Sequence, residues 1–144
     1  YKLTAQNLRV TGEGKPASTA EVEMSLINYG FAAAFNLQSG FAILDEDNRL
    51  VSTVDSGSPE TWYNRNPEQY ADSRNLTHTL KAAVRLPDQP GRYKLAFYLK
   101  NTAGQYARLS NRLDVVNDPA DPTVKQAEGT PTPTGFHILH VFDL

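Results

Sequence analysis

A cluster of aromatic and hydrogen-bonding side chains stands out in one long polar stretch of the chain. Trp62, Tyr63, Asn64 and Arg65 follow one another, and Tyr70 lies close behind. Flat aromatic rings pack against the apolar faces of sugars, while amide and guanidinium groups hydrogen-bond the sugar hydroxyls. The cluster therefore predicts a ligand-binding surface made of Trp62, Tyr63, Arg65 and Tyr70. The alternative is that Trp62 folds inward as an anchor, because large aromatic side chains prefer burial.

The residue types required for catalysis or metal binding are sparse. Glu60 and Glu68 flank Trp62 as a glycosidase acid/base pair would, but exposed carboxylates are common on loops, so a chance pairing is favoured. His137 and His140 are three residues apart, which on a strand predicts opposite faces and argues against a shared metal. The chain has no cysteine, which excludes thiolate catalysis and disulfides. We predict no catalytic residue, no metal and no cofactor.

Length and charge narrow the class of partner. The 144 residues fit one domain with a tail. The chain carries 14 basic and 16 acidic residues, a net charge of -2, which does not supply the basic face that nucleic acid or anionic lipid requires. No apolar run approaches the roughly 20 residues of a membrane helix, and the start has no signal-peptide pattern, as in a mature or excised fragment. We expect neither nucleic acid nor membrane as a partner.

The elements that position the cluster are predicted to be β-strands. A first strand lies within residues 2–10, and residues 20–26 alternate between apolar and acidic or polar side chains, as a half-buried strand does. Two further strands, 37–44 and 50–54, flank a turn at residues 45–48, whose Asp and Asn side chains favour turns. This pair is predicted to be a hairpin.

A second hairpin is predicted over residues 78–99, around a Pro/Gly turn at 87–91. Its first strand turns His78, Leu80, Ala82, Val84 and Leu86 to one side, the inward one, and Thr79, Lys81, Ala83 and Arg85 to the other. Its second strand turns Tyr93, Leu95, Phe97 and Leu99 inward and Arg92, Lys94, Tyr98 and Lys100 outward. Tyr93 resembles the tyrosine corner of Greek-key sandwiches, in which the hydroxyl bonds nearby backbone.

A last strand is predicted over residues 106–116. Tyr98 and Tyr106 then lie on neighbouring strands, as a binding patch or, the favoured interpretation, as cross-strand packing. About seven strands with turns between them predict an all-β fold, an immunoglobulin/fibronectin-III-like antiparallel β-sandwich over residues 1–117. A Pro/Thr-rich linker follows at 118–135. Three roles stay open for the hydrophobic segment 136–144: pairing with an edge strand, the start of another domain, or an unrelated remnant.

Short spaced motifs resemble a bacterial domain family of unknown function that stands C-terminal to glycoside-hydrolase-like barrels. The motifs are Leu26-Ile27-Asn28-Tyr29-Gly30-Phe31-Ala32, Val54-Asp55, Trp62, Leu86-Pro87, Pro90-Gly91-Arg92-Tyr93-Lys94-Leu95 and Ala107-Arg108-Leu109-Ser110-Asn111. The resemblance covers roughly residues 20–117. The segment between Asp55 and Trp62 is longer than in the family pattern, and the Pro/Thr tail departs from it. The family brings no established site residues.

The resemblance implies a non-catalytic β-sandwich attached to a glycan-active protein. The expected protein is an extracellular or cell-surface bacterial accessory module, not an enzyme by itself, whose partner is a polysaccharide or a neighbouring catalytic domain. The alternative is a structural or adhesive interaction domain with no sugar ligand, which would pair through a strand edge. The oligomeric state stays open.

Overall fold

The computed structural model describes residues 3–28, 37–57, 77–101, 106–107, 109, 111, 113–117 and 135–144. These residues form nine strands joined into two antiparallel sheets, and no helix occurs among them. The strands are β1 (Leu3–Thr11), β2 (Thr19–Asn28), β3 (Leu37–Asp45), β4 (Leu50–Gly57), β5 (Thr77–Arg85), β6 (Arg92–Asn101), β7 (Tyr106–Ala107), β8 (Val115–Asn117) and β9 (Gly135–Asp143).

The two sheets stack as an immunoglobulin-like β-sandwich, as predicted. The smaller sheet has the order β1-β2-β5, and the larger has the order β4-β3-β6-β9-β8, with β7 also paired to β6. The predicted core residues Val22, Val84, Leu95 and Phe97 are all at most 3% exposed. The rings of Phe41 and Phe97 pack at 5.5 Å between centroids in the middle of this core. Burial of these alternating apolar faces is the main force that joins the two sheets.

The first predicted hairpin is confirmed, and its turn is built by Asp45. The Asp45 carboxylate accepts the backbone N–H groups of Asp47 and Arg49, at 2.9 and 2.8 Å. Asn48 takes the left-handed conformation with φ 63°, which Asn tolerates better than most residues. This turn directs β4 back along β3, so the sequence signal and the structure agree.

The second predicted hairpin is wrong in its pairing, although its faces are right. β5 pairs with β2, whereas β6 pairs with β3 and β9, so residues 86–91 cross from one sheet to the other. A period of two tells which face of a strand is apolar but not which strand lies beside it. The Tyr93 hydroxyl donates to the Gln89 carbonyl at 2.8 Å, which confirms the predicted tyrosine corner at this crossing.

Tyr98 was predicted to face solvent and is instead 4% exposed. It belongs to a second cluster on the outer face of the larger sheet, so the central strands β3 and β6 are covered on both faces. The cluster comprises Ala42, Leu44, Ala96, Tyr98 and Phe136. The run from Ala42 to Leu44, apolar without alternation, carried this signal, since a strand buried on both faces has no polar side.

The C-terminal half also departs from the predicted strand over residues 106–116. β7 ends at Ala107, Leu109 is buried in the core, and the Asn111 side chain bonds the backbone of Ala5. β8 then pairs antiparallel with β9. The chain leaves β6 after two residues because core burial and the bond to β1 replace regular pairing there.

The segment set apart in the sequence as 136–144 lies inside the larger sheet. β9 runs between β6 and β8 and continues along the edge of β6 that β7 leaves open. Its far end is held by two backbone hydrogen bonds between Gly91 and Leu144 and by an exposed ion pair between Arg92 and Asp143 at 3.1 Å. The predicted linker 118–135 lies outside the described residues except for Gly135.

A bulge in β9 changes the faces predicted for its two histidines. The register shifts between Leu95 and Ala96 of β6, so His137 pairs with Phe97 while His140 pairs with Leu95. Phe97 and Leu95 both face the core, and directly opposed residues share a face. His137 and His140 therefore lie on the same side of the sheet, contrary to the prediction from their spacing.

Candidate functional site

The predicted site residues Trp62, Tyr63, Arg65 and Tyr70 lie outside the described residues, as do Glu60 and Glu68. The structure does define where their segment is attached. β4 ends at Gly57 and β5 begins at Thr77. At this same end of the sandwich β2 and β6 also end, and β3 and β7 begin. We call it the loop end. The opposite end, which we call the turn end, carries the connections 12–18, 46–49 and 86–91.

The adjoining ends of β3 and β4 are linked by a partly buried serine pair. Ser39 of β3 is fully buried, and its hydroxyl lies 2.8 Å from the hydroxyl of Ser56 in β4. The β3–β4 register shifts at this point, so that Ser39 pairs with Gly57 and Gly40 with Asp55. The last residues of β4 are therefore anchored to β3 immediately before the segment begins.

A tyrosine and an aspartate face each other beside this anchor. The Tyr98 hydroxyl donates to Asp55 Oδ1 at 3.2 Å. Burial, and then the charge and hydrogen bond of Asp55, raise the pKa of Tyr98 to about 12. The phenol therefore stays protonated at neutral pH and acts as a hydrogen-bond donor, while Asp55 is exposed to solvent.

Three aromatic rings pack together next to Tyr98. Tyr98 meets Tyr106 at 6.3 Å and Phe136 at 6.0 Å between centroids, both edge to face, and Tyr106 meets Phe136 at 5.7 Å. The Lys100 ammonium lies 5.6 Å from the centroid of the Tyr98 ring. This is the cross-strand packing favoured for Tyr98 and Tyr106 from the sequence.

The described part of this end combines a half-buried aromatic ring with exposed hydrogen-bonding groups. Tyr106 and Lys100 are partly exposed, and Asp55 is exposed. Such groups can hydrogen-bond a ligand. Sequence reasoning did not bring Asp55 and Lys100 to this place, because no local pattern pairs either of them with Tyr98.

Metal-binding clusters and membrane-spanning helices are both absent from the part of the chain that the structure describes. No group of three or more His, Asp or Glu side chains there is arranged to hold a metal ion. None of the secondary structure in the same ranges is a helix long and apolar enough to cross a membrane.

Comparison with protein-family models gives no match, and comparison with curated proteins gives none either. The family resemblance described above therefore rests on its quoted motifs alone.

Proposed function

We propose that this chain is a non-catalytic accessory module of an extracellular, glycan-active bacterial protein. In this role Trp62, Tyr63, Arg65 and Tyr70 bind polysaccharide weakly, next to a catalytic domain carried elsewhere in the protein. The motifs that resemble the domain family behind glycoside-hydrolase-like barrels support the association with glycans. The composition of the segment supports the type of ligand.

The observation that carries the proposal is the attachment of the aromatic segment to a rigid sandwich end. The segment starts one residue after Ser56, whose hydroxyl bonds the fully buried Ser39. Binding residues are commonly found on loops that a rigid scaffold positions, as at one end of immunoglobulin-like sandwiches. The Ser39–Ser56 pair supplies such a fixed point.

Solvent-accessible groups near the Ser39–Ser56 pair can add polar contacts to a sugar. The Asp55 carboxylate can accept hydrogen bonds from sugar hydroxyls, and the Lys100 ammonium can donate to them. The net charge of -2 gives little attraction to charged polymers, which favours a neutral polysaccharide. Stacking and hydrogen bonding, with few ionic contacts, agree with weak and reversible binding.

The test is affinity electrophoresis in gels that contain neutral polysaccharides, with wild type and Trp62→Ala. We expect wild type to be retarded by at least one polysaccharide and Trp62→Ala to lose at least tenfold in affinity, about 1.4 kcal/mol. Lys81→Ala is the matched control, because Lys81 is exposed on β5. Wild type that migrates unretarded in every gel contradicts the sugar-binding role and leaves the scaffold role.

The single tryptophan provides an independent measurement. Because Trp62 is the only Trp in the chain, its fluorescence reports one environment. A binding platform predicts efficient quenching by acrylamide and protection by the polysaccharide that retards the protein. A blue-shifted, poorly quenched emission would instead indicate the inward anchor.

One observation favours the second candidate, a structural or adhesive interaction domain. β4 is an edge of the larger sheet among the described strands, and its Leu50 and Val51 are 49% and 46% exposed. An exposed apolar edge can accept a strand from another protein. In this case Val51→Lys abolishes association with the partner protein, whereas Trp62→Ala leaves that association unchanged. Light scattering with size-exclusion chromatography measures the association.

A further inference from the structure

A cavity opens between the two sheets at the turn end, opposite the loop end at which β4 ends and β5 begins. Its volume is about 250 Å³. Its inner wall is formed by core side chains of both sheets, Val22 and Val84 from the smaller and Ile43 and Leu95 from the larger. Phe142 of β9 closes one side. The cavity therefore opens to solvent at the turn end and reaches down to core side chains of both sheets, which are themselves only 1–3% exposed.

The mouth of the cavity is shaped by the β1–β2 connection. Gly12 and Gly14 line it with φ of 147° and 65°. A Cβ at Gly14 would meet no atom within 4 Å, so open space lies beside it. Val10 also lines the cavity and is 45% exposed. Val10 therefore gives an apolar ligand an apolar surface to contact at the mouth of the cavity.

Polar groups occur only at the rim. Thr11 and the exposed His140 line it. The His140 ring stacks on Phe142 with an angle of 13° between the ring planes and 6.3 Å between centroids. Asp143 also lines the rim, but its charge is opposed by Arg92 at 3.1 Å. The rim thus offers hydrogen-bonding groups, and the only acidic side chain among the described residues that line it is paired with Arg92.

We propose that this cavity binds a small uncharged molecule with an apolar ring or short chain and one hydroxyl group. The apolar part lies against the core side chains at the base of the cavity, and the hydroxyl stays at the rim beside His140. An apolar cavity of roughly 150 Å³ is enough to bind benzene, so the larger volume found here accommodates a substituted ring. A carboxylate would lose hydration without gaining a Lys or Arg partner, since neither residue type lines the cavity within the described ranges, and we therefore expect it to bind more weakly.

The experiment titrates the full chain with p-cresol and follows backbone amide shifts by NMR. We expect saturable binding with a dissociation constant on the order of 1 mM or tighter. The largest shifts should fall on Gly12, Gly14 and Leu144. p-Toluate, which carries a carboxylate in place of the hydroxyl, should bind at least fivefold more weakly. Linear shifts without saturation, or shifts centred elsewhere, overturn the proposal.

A matched pair of variants tests the location. Val10→Asp places a charge at the mouth, and Val51→Asp makes the same change at a position of nearly equal exposure, 46% against 45%, on the edge strand β4, where Val51 does not line the cavity. We expect Val10→Asp to weaken p-cresol binding at least fivefold and Val51→Asp to leave it unchanged. Equal effects of the two variants contradict the proposed site.

A second variant fills the cavity from within. Ala20 lines it and is 5% exposed, so Ala20→Leu should abolish binding. Ala5→Leu makes the same change in the core without lining the cavity, and it should retain binding. Because both variants add the same volume, a general loss of folding is recognised by its appearance in both. Binding that survives Ala20→Leu overturns the proposal, whatever the outcome for polysaccharide.

Discussion

The ring of Tyr98 occupies the space in which a side chain at position 40 would stand. Gly40 and Tyr98 are directly opposed on β3 and β6, and a Cβ on Gly40 would lie 2.6 Å from Tyr98 Cε1. An aromatic ring that lies across a glycine on the neighbouring strand covers backbone that the glycine leaves bare. Gly40 is thus required for packing, not for a turn.

Gly40→Ala should destabilise the protein by about 1–3 kcal/mol, the usual cost of forcing atoms into a packed site. Chemical denaturation measures this. The double variant Gly40→Ala/Tyr98→Ala should cost less than the sum of the two single changes, because the collision disappears when the ring is removed. Additive single effects would show that Tyr98 does not restrict position 40.

Tyr98 should make stability depend on pH in the alkaline range. Its pKa is raised to about 12, by burial first and then by Asp55, whereas an unfolded tyrosine ionises near 10. Between these values the unfolded chain loses the proton that the folded chain keeps. The contribution is therefore complete below about pH 10 and is lost as pH rises toward about 12.

Urea unfolding at several pH values from 8 to 11, with wild type and Tyr98→Phe, checks this dependence. Tyr98→Phe should flatten the decline above about pH 10. In a spectrophotometric titration, Asp55→Asn should lower the pKa of Tyr98 but leave it above that of a free tyrosine, since burial is its largest cause. An unchanged titration in Asp55→Asn would remove Asp55 as a contributor.

His137 should be the more important of the two histidines of β9. It is 1% exposed, its Nε2 accepts the Leu109 N–H at 3.0 Å, and its Nδ1 lies 3.3 Å from the Phe97 carbonyl. His137→Leu leaves a buried N–H group without its acceptor and should cost about 1–3 kcal/mol. His140→Leu, at an exposed position of the same strand, should change the free energy of unfolding by about 0.5 kcal/mol or less.

The comparison is made by thermal unfolding of both variants together with His137→Gln. The Gln side chain offers an oxygen near the position of Nε2, so it should recover part of the loss. Equal stability of His137→Leu and wild type would show that the Leu109 hydrogen bond adds nothing.

Asn111 should stabilise the edge strand β1 through both ends of its amide. Its Oδ1 accepts the Ala5 N–H and its Nδ2 donates to the Ala5 carbonyl, each at 2.8 Å. Asn111→Ala removes both bonds and should cost about 1–3 kcal/mol. Asn111→Asp keeps the acceptor but sets a carboxylate against the carbonyl, so at neutral pH it should be no more stable than Asn111→Ala. Hydrogen exchange at the Ala5 amide reports the loss locally.

The strand faces could be predicted, since they depend only on local alternation. Val22 and Leu80 were placed in the core by period alone, and the Asp45 turn by its side-chain chemistry. The partner of β5 could not be predicted, because the connection 86–91 fits a hairpin and a crossing between sheets equally well. The prediction for Tyr98 is wrong for a related reason. Alternation implies one solvent-exposed face, whereas the central strands of the larger sheet are covered on both faces.

The candidate site, too, could be predicted from the sequence only in part. The residue types around Trp62 indicate a ligand class, but their positions follow from no periodic pattern. Asp55 could not be linked to Tyr98 from the sequence, because 43 residues separate them and a register shift between β3 and β4 sets their contact. The paired faces of His137 and His140 likewise depend on a bulge that has no signature in composition.

The insertion of β9 beside β6 sets the order in which a nascent chain can complete this domain. Residues 92–97 are translated long before their β9 partners at 137–143, so during synthesis the inner edge of β6 stays open to foreign strands. Contacts of such wide sequence separation form slowly and leave partly built sheets prone to aggregation. Delivery of residues 135–143 is therefore the step at which a growing polypeptide becomes a closed sandwich, and a chain cut short before β9 would leave this edge of β6 unpaired.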